Sequence, residues 1–243
     1  MTALQLLKSS RLFEFNSINR DEWVREQANT IPDGSIVLDA GAGSCPYREF
    51  FRHCVYKTQD FTQLQPDQLR HGNYGKIDYV CDAGSIPVAD GTFDVVLCTE
   101  MLEHVPEPLK VLAEFSRILK AGGRLILTAP LGSGIHQEPF HYYGGYTRYW
   151  YEKFLPQLGF GKVQVTTNAG SFRFFSQESL RFLTSSRPFS LDMPVLLELA
   201  WAPVWVFLVP ILGLLIPLAC AWLDRFDTEK RFTVGYHVTA ERI

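Results

Sequence analysis

The sequence has five cysteines, Cys45, Cys54, Cys81, Cys98 and Cys220, and no two form a C-x-x-C pair. That excludes a zinc-ribbon or dithiol motif, so no metal site is expected. The odd, scattered set reads as reduced thiols of a cytosolic protein, not as a disulfide framework. An excess of basic residues is also missing. The net charge of −3 gives no reason to expect a nucleic-acid partner. The first residues offer only the short apolar patch Leu4–Leu7 before Lys8 and Arg11, too little for a signal-peptide core. Internal repeats and low-complexity tracts are absent. Charge is wholly missing in one place, the 25 residues from Leu199 to Leu223. Against these gaps stand 47% hydrophobic and 20% charged residues in a chain of 243. That suffices for an ordinary core in one large domain, or one domain with an insert.

Short apolar runs mark the expected strands: 36–40, 54–59, 77–81, 93–98, 124–129, 162–167 and 232–240. Asp33-Gly34 before the first is a turn signal. Helical signals fall between several of them. PYREFF follows the first strand. Pro108 suits the first helical position of a stretch to Lys120, with Leu112, Phe115 and Leu119 on one face and Gly122-Gly123 as its stop. Thr147 can cap a helix to Leu158 that Gly159 ends. Strands alternating with helices imply βαβ units and a mostly parallel sheet, whose ligands sit at the carboxyl ends of the strands.

Acids stand at those ends. Asp39 opens D-A-G-A-G, where Gly41 and Gly43 let the backbone pass close to a ligand. The acid comes before the glycines, and the run G-A-G-S-C-P lacks the third glycine or alanine of a dinucleotide fingerprint. A carboxylate beside the turn suits a cationic amino-acid ligand better than a diphosphate. Asp60, 21 residues after Asp39, follows the second strand and can accept from both hydroxyls of a ribose. Asp82 follows the third strand, where it can accept from an adenine amino group. Glu100 follows the fourth. Any one of these acids alone has an ordinary reading as a turn or cap residue; four in succession do not.

VLDAGAGSCPY, Asp60, CDAGSIPVADGTFDVVLCTEMLEHVPEP and LKAGGRLILTAP together resemble a class I S-adenosylmethionine-dependent methyltransferase, and most of all the ubiquinone/menaquinone-biosynthesis-like (type 11) branch. The resemblance covers about residues 20–165, with 232–240 as the family's antiparallel last strand. It implies a Rossmann-like, doubly wound α/β fold: seven strands, mostly parallel, behind an N-terminal helical segment (1–35). The methyltransferase domain would be 36–243, with an apolar helical insert at about 174–228. It also implies S-adenosyl-L-methionine as cofactor and S-adenosyl-L-homocysteine as product. Asp39, Gly41 and Gly43 would hold the methionine part, Asp60 the ribose, and Asp82 and Ala83 the adenine, with Ala40, Phe61 and Glu100 as further cofactor-binding residues. Cys98 and Thr99 would line the floor near the methyl group. The Ser44-Cys45-Pro46 that follows the glycines departs from the family and leaves the start of the first helix open.

A sulfonium methyl is already electrophilic, so alignment of the acceptor supplies much of the rate. A base is needed only where the acceptor carries a proton. The loop GSGIHQEPFHYYGGYTRYW (132–150) follows the fifth strand and can close over an acceptor. His136, His141 and Tyr146 are its candidate catalytic residues, with packing of the loop as the alternative. His104 reads as a helix-start residue that shapes the pocket. A nicotinamide-dinucleotide oxidoreductase and a non-catalytic, membrane-attached protein that keeps the fold stay open as alternatives.

MPVLLELAWAPVWVFLVPILGLLIPLACAWL (193–223) is long enough to cross a bilayer. A single crossing would leave the last strand on the wrong side of the membrane. Pro203, Pro210 and Pro217 argue against one unbroken helix. A helical hairpin is expected, dipping into one leaflet or packed against the domain or a second copy. Trp201, Trp205 and Trp222, with flanking arginines, suit a headgroup interface. The implied acceptor is a small or lipid-linked molecule, and the implied location the cytoplasm at the inner face of a membrane.

Overall fold

The computed structural model describes residues 11–243, so the Leu4–Leu7 patch lies outside the described residues. Two compact units divide the chain. One comprises 19–166 with 235–243; the other runs up to Ile18 and resumes at Thr167–Val234.

The first unit is built on a seven-stranded sheet: β1 (Ile36–Ala40), β2 (Val55–Asp60), β3 (Tyr79–Val80), β4 (Phe93–Thr99), β5 (Leu119–Pro130), β6 (Phe160–Thr167) and β7 (Gly235–Arg242). Their order is β3-β2-β1-β4-β5-β7-β6. β1 runs parallel to β2 and β4, and β4 to β5, whereas β7 lies antiparallel to β5 with Leu127 opposite Val238. The fold is the expected α/β, Rossmann-like one. Central strands buried on both sides explain the unbroken apolar runs. Val37, Val95, Leu97 and Ile126 share one face with Phe51 and with Val24 and Ala28 of helix α1 (Phe15–Ala28). Leu38, Val96, Leu125 and Leu127 share the other with Val111, Leu112 and Phe115 of helix α2 (Pro108–Ile118). Each such side chain taken from water stabilises the fold by about 1.5–3 kcal/mol. Helix α3 (Arg148–Gln157) begins as its sequence predicts, because the Thr147 hydroxyl accepts from the Trp150 amide.

Local details differ from the sequence reading. PYREFF forms no α-helix, only a 3₁₀ turn at Arg48–Phe51. Cys45 takes a left-handed φ of +54° and Pro46 has no N–H, so the chain cannot wind directly out of the glycine turn. The edge strand shrinks from 77–81 to two residues. The Asp78 carboxylate accepts from both the amide and the hydroxyl of Thr58, taking the place of a ladder carbonyl. Helix α2 stops at Ile118 and β5 starts at once. Its register jumps from Phe93–Leu119 to Val95–Arg124 over a bulge, where Gly122 has φ +75°.

In the second unit, helix α4 (Ser171–Ser185) is followed by one long helix. Helix α5 (Val195–Pro210) runs through a π-turn at Ile211–Leu215 into α6 (Ile216–Leu223) and a final 3₁₀ turn to Phe226. The predicted hairpin within 193–223 is therefore corrected: that segment does not fold back on itself. The wide π-turn lies between Pro210 and Pro217, where the α-helical ladder is already interrupted because neither proline has an N–H to donate. The fold-back is made with α4 instead. Trp201 and Trp205 donate their indole N–H to the Ser186 and Leu183 carbonyls at the C-terminus of α4 (2.7 and 3.1 Å). Asp224 accepts from the amides of Gly170 and Arg173 and Asp227 from that of Ser171, satisfying the free N–H groups at the N-terminus of α4.

Candidate active site

The predicted acids end their strands as the alternation of elements requires. Asp39 is on β1, Asp60 closes β2, and Asp82 follows β3. Glu100 follows β4 with a left-handed φ of +47°. Asp60 is buried, and its two oxygens take the amides of Gly43 (2.9 Å) and Thr62 (2.8 Å). It thus ties the glycine turn to the end of β2. Gly41 has φ +69°, and a Cβ there would collide with the Met101 side chain at 2.5 Å. At Gly43 a Cβ would meet only Leu69, at 3.6 Å, so that side of the turn is open.

Asp39 is buried and accepts from the Tyr56 hydroxyl. Burial pushes its pKa up to about 7; the Tyr56 hydrogen bond opposes the shift and the charge on Asp60 adds to it. Burial also raises Asp60, against the pull of its amide donors. Two buried acids that resist ionisation make a pocket matched to a cationic group and to hydroxyl donors. This is the acceptor set that the α-ammonium and ribose of S-adenosylmethionine require.

The remaining predicted residues are placed less uniformly. Phe61 packs edge-on against Phe140 with centroids 5.0 Å apart. Asp82 is exposed and holds the Gly84 amide, while Ala83 is buried behind it. Ala40 and Cys98 are sealed in the core, so the Cys98 thiol does not line an open floor; Thr99 is half-buried. Glu100 accepts from the Thr128 hydroxyl (2.8 Å) and pairs with Arg20 of α1 (3.2 Å). Arg20 also donates to the Tyr47 hydroxyl, which donates to Asp21, and Arg70 pairs with Asp21. Sequence reasoning missed Arg20, Asp21, Tyr47 and Arg70. Their contacts join segments up to 80 residues apart, and no local pattern announces them.

In the 132–150 loop Tyr146 is buried and donates its hydroxyl to the Leu102 carbonyl (2.8 Å). Burial pushes its pKa up. A phenol committed in this way is a packing group, which removes it from the candidate bases. His136 is exposed and His141 half-buried, and both rings converge on His104, with centroid separations of 4.7 and 5.5 Å. Burial first, then the nearby His136 and His141 imidazoles, lower His104 to about 4 against the opposing pull of its hydrogen bond to the Phe140 carbonyl. The neighbouring Glu103 is buried, and burial followed by the charge on Glu100 raises it well above the usual carboxylate range.

Residues 38–127 match the methyltransferase domain family. The chain is 33% identical over 134 residues to an uncharacterized methyltransferase of Mycobacterium sp. (strain KMS), covering 51% of this chain and 52% of that one. It is 29% identical over 166 residues to the ubiquinone/menaquinone biosynthesis C-methyltransferase of Salmonella arizonae, covering 61% and 60%. It thus spans about half to three-fifths of the length of these curated relatives. Among solved structures, a phosphoethanolamine N-methyltransferase from Haemonchus contortus in complex with S-adenosyl-L-methionine shares the fold. Its TM-score is 0.52 at 14% identity, over 100% of this chain and 60% of that one. The acid-edged sheet, the glycine turn tied to Asp60 and these matches agree: residues 38–127 are similar to the methyltransferase domain family and to relatives of the ubiquinone/menaquinone-biosynthesis type, on the fold that the solved S-adenosylmethionine complex shares.

Proposed function

We propose that this chain transfers a methyl group from S-adenosylmethionine to a small or lipid-linked acceptor by in-line displacement, at the surface of a membrane. The observation that carries the reading is the Asp39–Gly41–Gly43–Asp60 cradle. When bound, the cofactor supplies an electrophilic methyl group. Asp39 holds a cationic amino group beside the turn, and the open side of Gly43 admits the ligand next to it. Asp60 keeps the turn in place and accepts from the ribose. Asp82 stands at the adenine side. The Arg20–Glu100 pair closes the edge of β4 with charges that cancel.

Membrane attachment is supported by the long helix. Within its 32 residues, Val195–Phe226, the most apolar 18-residue stretch has a mean hydropathy of 2.5, yet only 11% of that stretch is buried. Leu196, Val195 and Phe207 are 80%, 68% and 67% exposed. Water does not tolerate such a surface, and a helix apolar all round needs another covering. A single crossing is incompatible with the sheet, because β7 pairs with β5 after the helix just as β6 joins the sheet before it. Helix α4, with 15 residues including Arg173, Glu178 and Arg181, is too short and too charged to be a second crossing. These features support a helix that lies in one leaflet without crossing it, and a second copy is the competing cover.

Isothermal titration with S-adenosylmethionine and S-adenosylhomocysteine tests the first half. Binding is expected in the micromolar range and lost in Asp60→Ala. Binding of NAD and of neither adenosyl compound would overturn it. Binding without methyl transfer to any of a broad acceptor panel would leave a non-catalytic protein. Flotation with anionic liposomes tests the second half; absence of the full-length protein from the floated fraction refutes it.

A further inference from the structure

The sequence spacing gives no hint of a metal site, but the fold gathers His104, His136 and His141 so that one ligating atom of each lies within 4.8 Å of the others. We infer that these three imidazoles hold a single zinc-class divalent ion, with a fourth position for water or an acceptor oxygen.

The orientation of the rings fits this assignment. The Nδ1 of His104 lies 2.7 Å from the Phe140 carbonyl, and that of His136 lies 2.9 Å from the Gly134 carbonyl. A carbonyl only accepts, so both Nδ1 atoms carry the proton and both Nε2 atoms present a bare lone pair. Backbone carbonyls fix metal-binding histidines in the same way. The Nδ1 of His141 is buried with no hydrogen-bond partner. A carboxylate stands beside the cluster. Glu103 is 1% exposed, its Oε2 is buried without a partner, and its Oε1 lies 3.6 Å from the His104 Nε2. That separation is too long for a hydrogen bond. It leaves a lone pair facing a buried carboxyl oxygen, an arrangement that a cation reconciles and that balances part of the ion's charge. Zinc–nitrogen bonds of about 2.1 Å in a tetrahedron put ligand atoms roughly 3.4 Å apart, so each ring closes by less than about 1 Å. Imidazole ligands suit zinc, cobalt, nickel and copper over magnesium or calcium. Three protein ligands with an open fourth position are the pattern of ions that bind and polarise an exogenous oxygen.

The test uses the full chain. Stripped protein titrated with Co²⁺ should develop the visible absorption of a tetrahedral ion, saturating at one equivalent and displaced by Zn²⁺. His136→Ala and His141→Ala should each weaken binding by about 100-fold or more, with thermal midpoints in chelator equal to that of the parent. Glu103→Gln should weaken it by about 10–100-fold. In the unsubstituted protein, one equivalent of zinc should protect His136 from acylation by diethyl pyrocarbonate, read by mass spectrometry. Absence of the absorption at one equivalent, its survival in the double His136→Ala/His141→Ala variant, or undiminished labelling of His136 with zinc present each overturns the site. These readouts are separate from the cofactor titration, so failure here leaves the methyl-transfer reading standing.

Discussion

The two units treat polar and apolar atoms in opposite ways. In the sheet unit, apolar side chains are inside and a few acids are buried with them, at the ends of β1 and β2. In the helical unit the apolar side chains face outward, and the polar groups (Asp224, Asp227 and the two indole N–H groups) are spent on joining α4 to the long helix. A buried acid is costly and persists where a ligand needs it. An exposed leucine stripe is equally unfavourable in water and persists where another solvent covers it. Each region departs from ordinary packing in its own way, with buried acids in one and an exposed apolar face in the other, and the two departures can be tested separately.

The largest effect should come from the outer surface. Leu196→Lys, Phe207→Lys and Leu214→Lys together should lower partition into anionic vesicles by at least about 100-fold, since each apolar side chain buried contributes about 1.5–3 kcal/mol. Cofactor affinity should change less than about twofold. A parallel loss of both would break the division between the units.

Next is the inner acid. The folded-state pKa of Asp39, about 7, lies above its unfolded value of 3.8. Its contribution to stability is thus present below pH 4 and lost as pH rises through 7. Asp39→Asn should stabilise the cofactor-free protein at pH 8 by about 2–4 kcal/mol in urea unfolding, and weaken S-adenosylmethionine binding. A destabilised variant would mean that Asp39 is a structural anion.

His237 on β7 tests the opposite sign. Its ring stacks on Trp23 at 4.7 Å, and burial, helped by the charge on Arg20, lowers its pKa to about 4. Its stability contribution is present above pH 6.5 and lost as pH falls towards 4. His237→Phe should reduce the acid loss over that window by about 2–3 kcal/mol, with chemical unfolding at pH 7 and pH 4.5 as the measurement. The smallest effect is at the helix pair. Trp201→Phe leaves the Ser186 carbonyl without its donor and should cost about 1 kcal/mol in thermal unfolding.

Much of this architecture is legible in the sequence because burial is encoded locally. IVLDA and FDVVLC read as strands because both of their faces are covered; Pro108 and Thr147 read as helix starts because the first turn needs no donor there and rewards an acceptor. The acids at strand ends are readable for the same reason, since topology fixes where a parallel strand opens. Long-range pairing is not readable. Nothing near Glu100 specifies Arg20, and nothing in EHV or GIHQEPFH says that His104, His136 and His141 meet. The proline-spaced segment misled for a different reason. Proline rules describe the α-helical ladder, and a π-turn lies outside them.

The Arg20–Glu100 pair has a consequence for where this domain begins. The family match starts at residue 38, which is 18 residues after Arg20. A fragment cut at the first strand would keep every acid and both glycines of the cradle. It would nevertheless present a Glu100 stripped of its counter-charge and a Tyr47 with neither Arg20 nor Asp21 beside it. Weak cofactor binding by such a fragment would reflect that missing strap on the rim. In energetic terms the sheet unit starts on α1, and homology alone draws its border too late.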